Sequence, residues 1–157
     1  MRLIGNTTIH PFFFYTGKLA GYIIWLVFIL SPFDFIDIGQ TQIDGLRIPS
    51  FVLGGCALFF IIVSLLNLGK STSLGVPDET TELKNKGLYR FSRNPMYLGF
   101  NLLTFATMMI TGHPVIAGLG LYSIAVYHFI IKGEEKFLKQ RFGDRYLEYM
   151  EKVRRYI

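Results

Sequence analysis

Two adjacent carboxylates, Glu134 and Glu135, follow a long apolar run near the end of this 157-residue sequence. Adjacent carboxylates repel each other, so at least one of them needs a cation or a hydrogen-bond donor nearby. Arg93 precedes another apolar run and can supply a planar guanidinium that binds a carboxylate through two N–H groups. These three residues are therefore the first candidates for a site that binds charged groups.

The residues around these three charges fall on helical faces. The face of Arg93 has steps of four, four and three residues and consists of Arg93, Tyr97, Asn101 and Thr104. The face of Glu134 has steps of three, four and seven and consists of Gly120, Ser123, Tyr127 and Glu134. Two helices joined by the short turn Gly112-His113 would bring these faces together. The pattern leaves two interpretations open: a structural ion pair at the mouth of a helical hairpin, or a ligand site.

The elements that position these residues are four apolar stretches. A helix that crosses a bilayer needs about 20 mostly apolar residues. The stretches that reach or nearly reach this length are 12–30, 48–68, 95–111 and 114–131. The sequence therefore predicts an all-α integral membrane protein with about four transmembrane helices, in a single domain over residues 1–157.

Basic and non-basic connections alternate along the chain and predict its orientation. The 31–47 connection carries three Asp and one Arg, whereas the 69–94 loop carries five Lys or Arg and residues 132–157 carry eight. Basic segments stay on the cytoplasmic side, so we expect both termini in the cytoplasm and the helices in the cytoplasmic (inner) membrane. The net charge of +5 suits contact with anionic membrane lipids. Nucleic acid is not expected as a partner, because the bases flank apolar runs and form no single stripe.

The composition and the absence of certain motifs exclude several classes of site. A single cysteine excludes an internal disulfide, and the sequence has no His/Cys cluster, so no metal site is predicted. It also lacks GxGxxG and GxxxxGK[ST], which excludes the usual dinucleotide and P-loop sites.

The segment after the fourth stretch predicts a cytoplasmic amphipathic helix. Its apolar face has steps of four, four, three, four and three, and consists of Leu138, Phe142, Tyr146, Tyr149, Val153 and Tyr156. Gly143-Asp144 could end one helix and begin the next. The pattern leaves open whether this segment anchors the protein at the membrane surface or covers a site.

Two motifs, GLYRFSRNPMYLGF and EEKFLKQRFGDRYLEYMEKVRRYI, occur in this order about 35 residues apart. Through them the chain resembles the isoprenylcysteine carboxyl methyltransferase family, specifically its small bacterial and archaeal members. The resemblance covers roughly residues 70–157, and residues 1–68 carry no diagnostic motif. Asn94 stands where the eukaryotic members have His.

The resemblance implies an integral membrane methyltransferase that uses S-adenosylmethionine. It implies two N-terminal transmembrane helices in residues 1–68 and a cofactor-binding half in residues 69–157. The cofactor-binding residues that it implies are Gly87, Leu88, Tyr89, Arg93, Asn94, Tyr97, Leu98, Glu134 and Glu135. Arg93 and Glu134 would also be catalytic. The expected acceptor is a lipophilic or small molecule with a carboxylate or thiol, by resemblance an isoprenylcysteine-like carboxylate.

Two other functions compete with this one. Sterol reductases that use NADPH look distantly similar in their C-terminal halves and also bind a nucleotide at a cytoplasmic face. A non-catalytic membrane module with a purely structural polar hairpin is the third hypothesis. Three observations separate these hypotheses. Transfer of label from the methyl donor would favour the methyltransferase, and oxidation of NADPH would favour the reductase. Binding of neither nucleotide would favour the non-catalytic module.

Overall fold

The computed structural model describes residues 9–33, 45–68 and 83–157. The charges Asp34, Asp37, Asp44 and Lys70, on which the predicted orientation partly rests, lie outside these ranges. The helices of the described residues are α1 (Pro11–Leu30), α2 (Arg47–Leu68), α3 (Pro95–Thr111), α4 (Pro114–Phe142) and α5 (Asp144–Lys152), with short 3-10 turns at Ser31–Phe33 and Gly87–Arg90. The predicted all-α membrane fold is confirmed.

Three segments of the described chain are long and apolar enough to cross a membrane: Pro11–Phe33, Arg47–Leu68 and Pro114–Phe142. Helix α3 has 17 residues, which at 1.5 Å per residue span about 26 Å of a hydrocarbon core of about 30 Å. The predicted count of four transmembrane helices therefore stays a prediction. Helix α4 continues past the predicted end at residue 131, so both glutamates lie on the same continuous helix as the apolar run.

Proline and glycine set the helix ends. Pro11, Pro95 and Pro114 each begin a helix, where the missing N–H would have had no partner within the helix. Gly112 ends α3 in the left-handed conformation with φ 57°, which glycine adopts without steric cost. The imidazole of His113 then accepts a hydrogen bond from Val115 N at 3.3 Å. The predicted two-residue turn between α3 and α4 is confirmed.

Helix α2 buries small residues and exposes large ones. Its buried residues are Ser50, Gly54, Ala57 and Ser64, which share one face because they are spaced by four, three and seven. A Cβ at Gly99 of α3 would lie 2.9 Å from the Ala57 carbonyl oxygen. The two helices therefore approach closely through small residues, as is usual where lipid removes the hydrophobic drive between helices.

Helix α1 packs on α4 through a second pair of glycines. A Cβ at Gly17 would lie 2.3 Å from Val126 Cγ1, and a Cβ at Gly21 would lie 2.9 Å from Ser123 Oγ. Ser123 Oγ donates a hydrogen bond of 3.1 Å to the Gly17 carbonyl. Helices α3 and α4 form the predicted hairpin, but each has its most extensive contacts with another helix. Helix α3 packs mainly on α2, and α4 packs mainly on α1.

The four long helices meet at one end of the bundle. The start of α1, the end of α2, the start of α3 and the end of α4 meet there: Phe14 packs with Tyr97 and Ile130, and Asn67 contacts Gly87. We call this end of the bundle, which carries Arg93, Glu134 and Glu135, the basic end.

We expect Gly17→Ala to lower the free energy of unfolding by up to about 2 kcal/mol, because overpacking costs about 1–3 kcal/mol. The clash with Val126 outweighs the gain of about 1 kcal/mol that alanine brings to a helix. Gly118→Ala in α4 is the matched control, because a Cβ there meets nothing within 4 Å. Thermal unfolding of the detergent-solubilised protein measures both; equal melting temperatures would contradict the close α1–α4 contact.

Candidate functional site

Tyr97 is held by aromatic side chains so that its hydroxyl reaches Glu134. Its ring lies 6.0 Å from Phe100 and 5.7 Å from Tyr127, centroid to centroid. Trp25 of α1 stacks on Phe100 at 4.5 Å, and its indole N–H donates to Thr104 Oγ1 at 3.1 Å. The hydroxyl of Tyr97 donates a hydrogen bond of 2.7 Å to Glu134 Oε1. Glu134 is half-buried, and among the described residues no hydrogen bond reaches its Oε2.

Glu135 has a different environment, because each of its oxygens binds a guanidinium. Oε1 accepts from Arg93 Nε at 3.0 Å and from Arg93 Nη2 at 2.8 Å. Oε2 accepts from Arg155 Nε at 3.0 Å and from Arg155 Nη2 at 2.8 Å. The side chains of Arg93 and Glu135 are only 7% and 5% exposed, whereas that of Arg155 is 31% exposed. The hydrogen bond to Glu135 is the main cause that raises the pKa of Arg155 above its usual value.

Arg93 also fixes the chain that follows α5. Its Nη1 donates to the Val153 carbonyl at 2.7 Å and to the Met150 carbonyl at 3.3 Å, so at least four of its five N–H groups are engaged. Its backbone N–H donates to the Arg154 carbonyl at 3.0 Å. The predicted partnership of Arg93 with the glutamates is therefore observed with Glu135, and not with Glu134.

Asn94 reinforces this junction. Its Nδ2 donates to the Arg155 carbonyl at 3.2 Å and to Glu135 Oε1 at 3.4 Å, and Ser92 Oγ donates to the same carbonyl at 3.2 Å. Asn94 lies at the N-cap position of α3, yet its side chain makes no capping hydrogen bond. Its amide is instead used to join α3, α4 and residues 153–157.

Helix α5 covers the turn Gly87–Arg90. Tyr149 donates a hydrogen bond to the Tyr89 carbonyl, and burial raises the pKa of the Tyr149 phenol to about 12, which keeps the donor protonated. The apolar side of α5 packs on residues from the loop and from α4 and forms a cluster of Tyr146, Tyr149, Val153, Leu83, Leu138, Phe142 and Met150. The predicted amphipathic stripe thus packs inside the protein, except Tyr156, which contacts His128. The predicted break at Gly143 is observed, with φ 52°.

The turn Gly87–Arg90 brings the remaining predicted residues to the basic end. Gly87 has φ 61° and lies against the side chain of Asn67 of α2, where a Cβ would be 2.4 Å from Nδ2. Leu88 is half-buried, and its carbonyl accepts from Phe91 N at 3.0 Å and Ser92 N at 3.1 Å. Tyr89 is buried, and burial raises the pKa of its phenol.

Leu98 is the predicted site residue that lies apart from the others. It lines an apolar groove of about 570 Å³ between α3 and α4, together with Asn101, Leu102, Phe105, Leu121, Ile124, Ala125, His128, Phe129 and Tyr156. Asn101 was predicted on one face with Tyr97 and Thr104, but it faces this groove, while Thr104 faces Trp25 of α1. At the end of the groove His128 Nδ1 and Tyr156 Oη are 2.8 Å apart and share a hydrogen bond.

Sequence reasoning missed one charged residue near the site. Lys18 of α1 is half-buried, and its ammonium lies 4.2 Å from the ring of Phe14, which belongs to the same cluster as Tyr97. The signal available in the sequence was a lysine inside an apolar stretch, which is rare and usually functional. Arg155, by contrast, lies in the second of the two motifs that carry the family resemblance, but the sequence analysis did not predict its ion pair with Glu135.

The phospholipid methyltransferase (PEMT) family model matches residues 47–145, which include α2, α3, the turn Gly87–Arg90 and the acidic pair. The chain belongs to this family. Every predicted site residue lies within residues 47–145 of this chain.

Individual relatives confirm the resemblance to isoprenylcysteine carboxyl methyltransferases. The protein-S-isoprenylcysteine O-methyltransferase of Schizosaccharomyces pombe is 31% identical over 133 residues, 83% of this chain and 49% of that protein. Isoprenylcysteine O-methyltransferase A of Arabidopsis thaliana is 38% identical over 48% of this chain and 39% of its own length. Methanethiol S-methyltransferase 1 of Bradyrhizobium diazoefficiens is 36% identical over 57% of this chain and 31% of its own length. The chain spans at most about half the length of these three relatives.

A solved structure shows the same fold. The eukaryotic intramembrane Ras methyltransferase ICMT superposes with a TM-score of 0.64 at 20% identity, over 92% of this chain and 52% of that one. The helical architecture of this chain is therefore shared with that enzyme.

Glu135→Gln should destabilise the protein strongly. Removal of one partner from a buried ion pair costs about 3–5 kcal/mol, because the remaining charge is left uncompensated. We expect a lower melting temperature and faster trypsin cleavage after Arg154 and Arg155. Glu148→Gln on the exposed side of α5 is the matched control; if both variants behaved like the wild type, the junction around Glu135 would not be what fixes residues 153–157.

Proposed function

We propose that this protein is an S-adenosylmethionine-dependent membrane methyltransferase whose donor site lies at the basic end. The methyl would pass to a carboxylate or thiol of a lipophilic or small acceptor. The observation that carries the proposal is the division of the acidic pair. Glu135 is saturated by two guanidiniums, whereas Glu134 is half-buried, held by Tyr97, and has an oxygen with no hydrogen-bond partner in the described residues.

The residues present fit a cationic donor. S-adenosylmethionine carries a sulfonium and an ammonium, and Glu134 offers a carboxylate within reach of aromatic side chains that can pack on such a cation. When bound, the donor supplies a methyl group whose bond to sulfur breaks, with the electron pair left on sulfur, as the bond to the acceptor oxygen or sulfur forms. The donor and acceptor must be held in line at close contact for this displacement.

The chain's own residues would provide this positioning. Tyr97 orients the Glu134 carboxylate, and the backbone of Gly87, Leu88 and Tyr89 would contact the adenine edge beneath α5. We assign Arg93 and Asn94 a positioning role, because their donors already bind Glu135 and the carbonyls after α5. The acceptor nucleophile needs no general base if it arrives as a carboxylate or thiolate, and a site screened from water favours a reaction in which opposite charges neutralise each other.

The relatives support a proposal for the acceptor. Three relatives named above are methyltransferases of an isoprenylcysteine carboxyl group or of methanethiol, that is, of oxygen and sulfur nucleophiles. An apolar groove between α3 and α4 in a membrane protein agrees with a lipophilic acceptor. We therefore expect O- or S-methylation and no methylation of nucleic acid.

Glu134→Gln should weaken the binding of S-adenosylhomocysteine and S-adenosylmethionine. A hydrogen bond to a charged group contributes about 1.5–3 kcal/mol, so the dissociation constant should rise roughly 10–100-fold. Tyr97→Phe should have a smaller effect in the same direction, because the carboxylate remains but loses its orienting bond. Isothermal titration of the purified protein with S-adenosylhomocysteine gives these values.

Tyr122→Phe is the control for Tyr97→Phe. It removes a hydroxyl that lies 2.7 Å from Thr16 Oγ1, on α4 but twelve residues and about 18 Å from Glu134. Its affinity should equal that of the wild type. An unchanged affinity in Glu134→Gln would contradict the site assignment.

The activity itself is tested by incubating the protein with a methyl-labelled donor and a membrane extract. We expect label in a base-labile ester or a methyl thioether that partitions into organic solvent. NADPH oxidation without label transfer would favour the reductase hypothesis, and binding of neither nucleotide would favour a non-catalytic membrane module.

A further inference from the structure

Lys18 is a charged residue inside α1, an apolar helix that is long enough to cross a membrane. Its ammonium lies 4.2 Å from the centroid of the Phe14 ring, one helical turn earlier in α1. Within residues 9–33, 45–68 and 83–157, no ion pair or hydrogen bond engages it. A charge inside a membrane helix is costly and usually marks a functional site. We therefore expect Lys18 to have a functional role.

The packing of α1 places Lys18 beside the aromatic cluster that holds Glu134. Phe14, which supports the ammonium, belongs to the same core cluster as Tyr97, and Tyr97 binds Glu134. Gly17, next to Lys18, approaches Val126 of α4 so closely that no side chain fits. Lys18 and Glu134 form no ion pair, but contacts lead from the Lys18 ammonium to Phe14, from the Phe14 cluster to Tyr97, and from Tyr97 to Glu134. A positive group of α1 and a negative group of α4 are therefore connected through the same aromatic cluster.

We propose that Lys18 binds the carboxylate of the amino-acid end of the methyl donor, while Glu134 binds its ammonium. This inference rests on the proposed function and extends it to a residue outside the predicted cofactor-binding half. An α-amino acid presents both charges on substituents of one carbon, so it matches a cation and a carboxylate that contact the same aromatic cluster. Charge-assisted hydrogen bonds at both ends would orient the donor and its sulfonium.

A carboxylate on the acceptor has the same chemistry, and the choice of ligand separates the two sources. S-adenosylhomocysteine carries the ammonium and the carboxylate, and its decarboxylated analogue carries only the ammonium. Neither contains an acceptor. A role of Lys18 toward the acceptor alone would leave the affinity for both ligands unchanged and would overturn the proposal.

The experiment is titration of the purified full chain with both ligands. Lys18→Met should weaken S-adenosylhomocysteine binding at least tenfold and change the affinity for the decarboxylated analogue less than twofold. Lys18→Arg, which keeps the positive charge, should recover most of the lost affinity. Glu134→Gln should weaken both ligands, because both retain the ammonium.

Lys132→Met is the matched control. Lys132 also lies over a phenylalanine, with its ammonium 5.8 Å from the Phe129 ring, but on the exposed side of α4. Its variant should bind both ligands like the wild type. If the wild type itself fails to bind S-adenosylhomocysteine, the proposed function and this inference fall together; if it binds and Lys18→Met binds equally well, only the role of Lys18 is overturned.

Discussion

The structure depends on one buried carboxylate that is held between two guanidiniums. Glu135 lies near the end of a membrane helix, where an uncompensated charge would cost several kcal/mol. Arg93 comes from the start of α3 and Arg155 from the residues after α5, so the need to neutralise one charge joins three parts of the chain. Because Arg93 also binds the carbonyls of Met150 and Val153, the same interaction fixes how α5 lies over the turn Gly87–Arg90.

Helix geometry places the neighbouring glutamate, Glu134, in a different environment. Successive residues of an α-helix point about 100° apart, so Glu134 and Glu135 cannot face the same partners. Glu135 faces Arg93 and Arg155, while Glu134 faces Tyr97 and α1. The first carboxylate is satisfied within the protein, and the second is oriented but only partly satisfied. A structural ion pair and a ligand site, which the sequence left as alternatives, thus exist side by side.

Local patterns predicted much of this arrangement. Backbone preferences of single residues predict the ends of the helices. They account for the helix starts at Pro95 and Pro114, for the turn at Gly112-His113 and for the break at Gly143. The meeting of Arg93 with the acidic pair followed from helical spacing and charge. By contrast, the pairing of α1 with α4 depends on close contact at Gly17 and Gly21, and GxxxG spacing is too common to specify its partner. The same limit applies to Asn101, which helical spacing placed with Tyr97, but which faces the outer groove because α1 occupies the other side of α3.

The central claim is that Glu134 binds the donor while Glu135 holds the protein together. An experimental structure with S-adenosylhomocysteine bound tests it most directly. The account predicts the ligand's ammonium within about 3 Å of a Glu134 oxygen, with both Glu135 oxygens still bonded to Arg93 and Arg155. A ligand bound to Glu135 in place of either arginine, or located away from both glutamates, would contradict it.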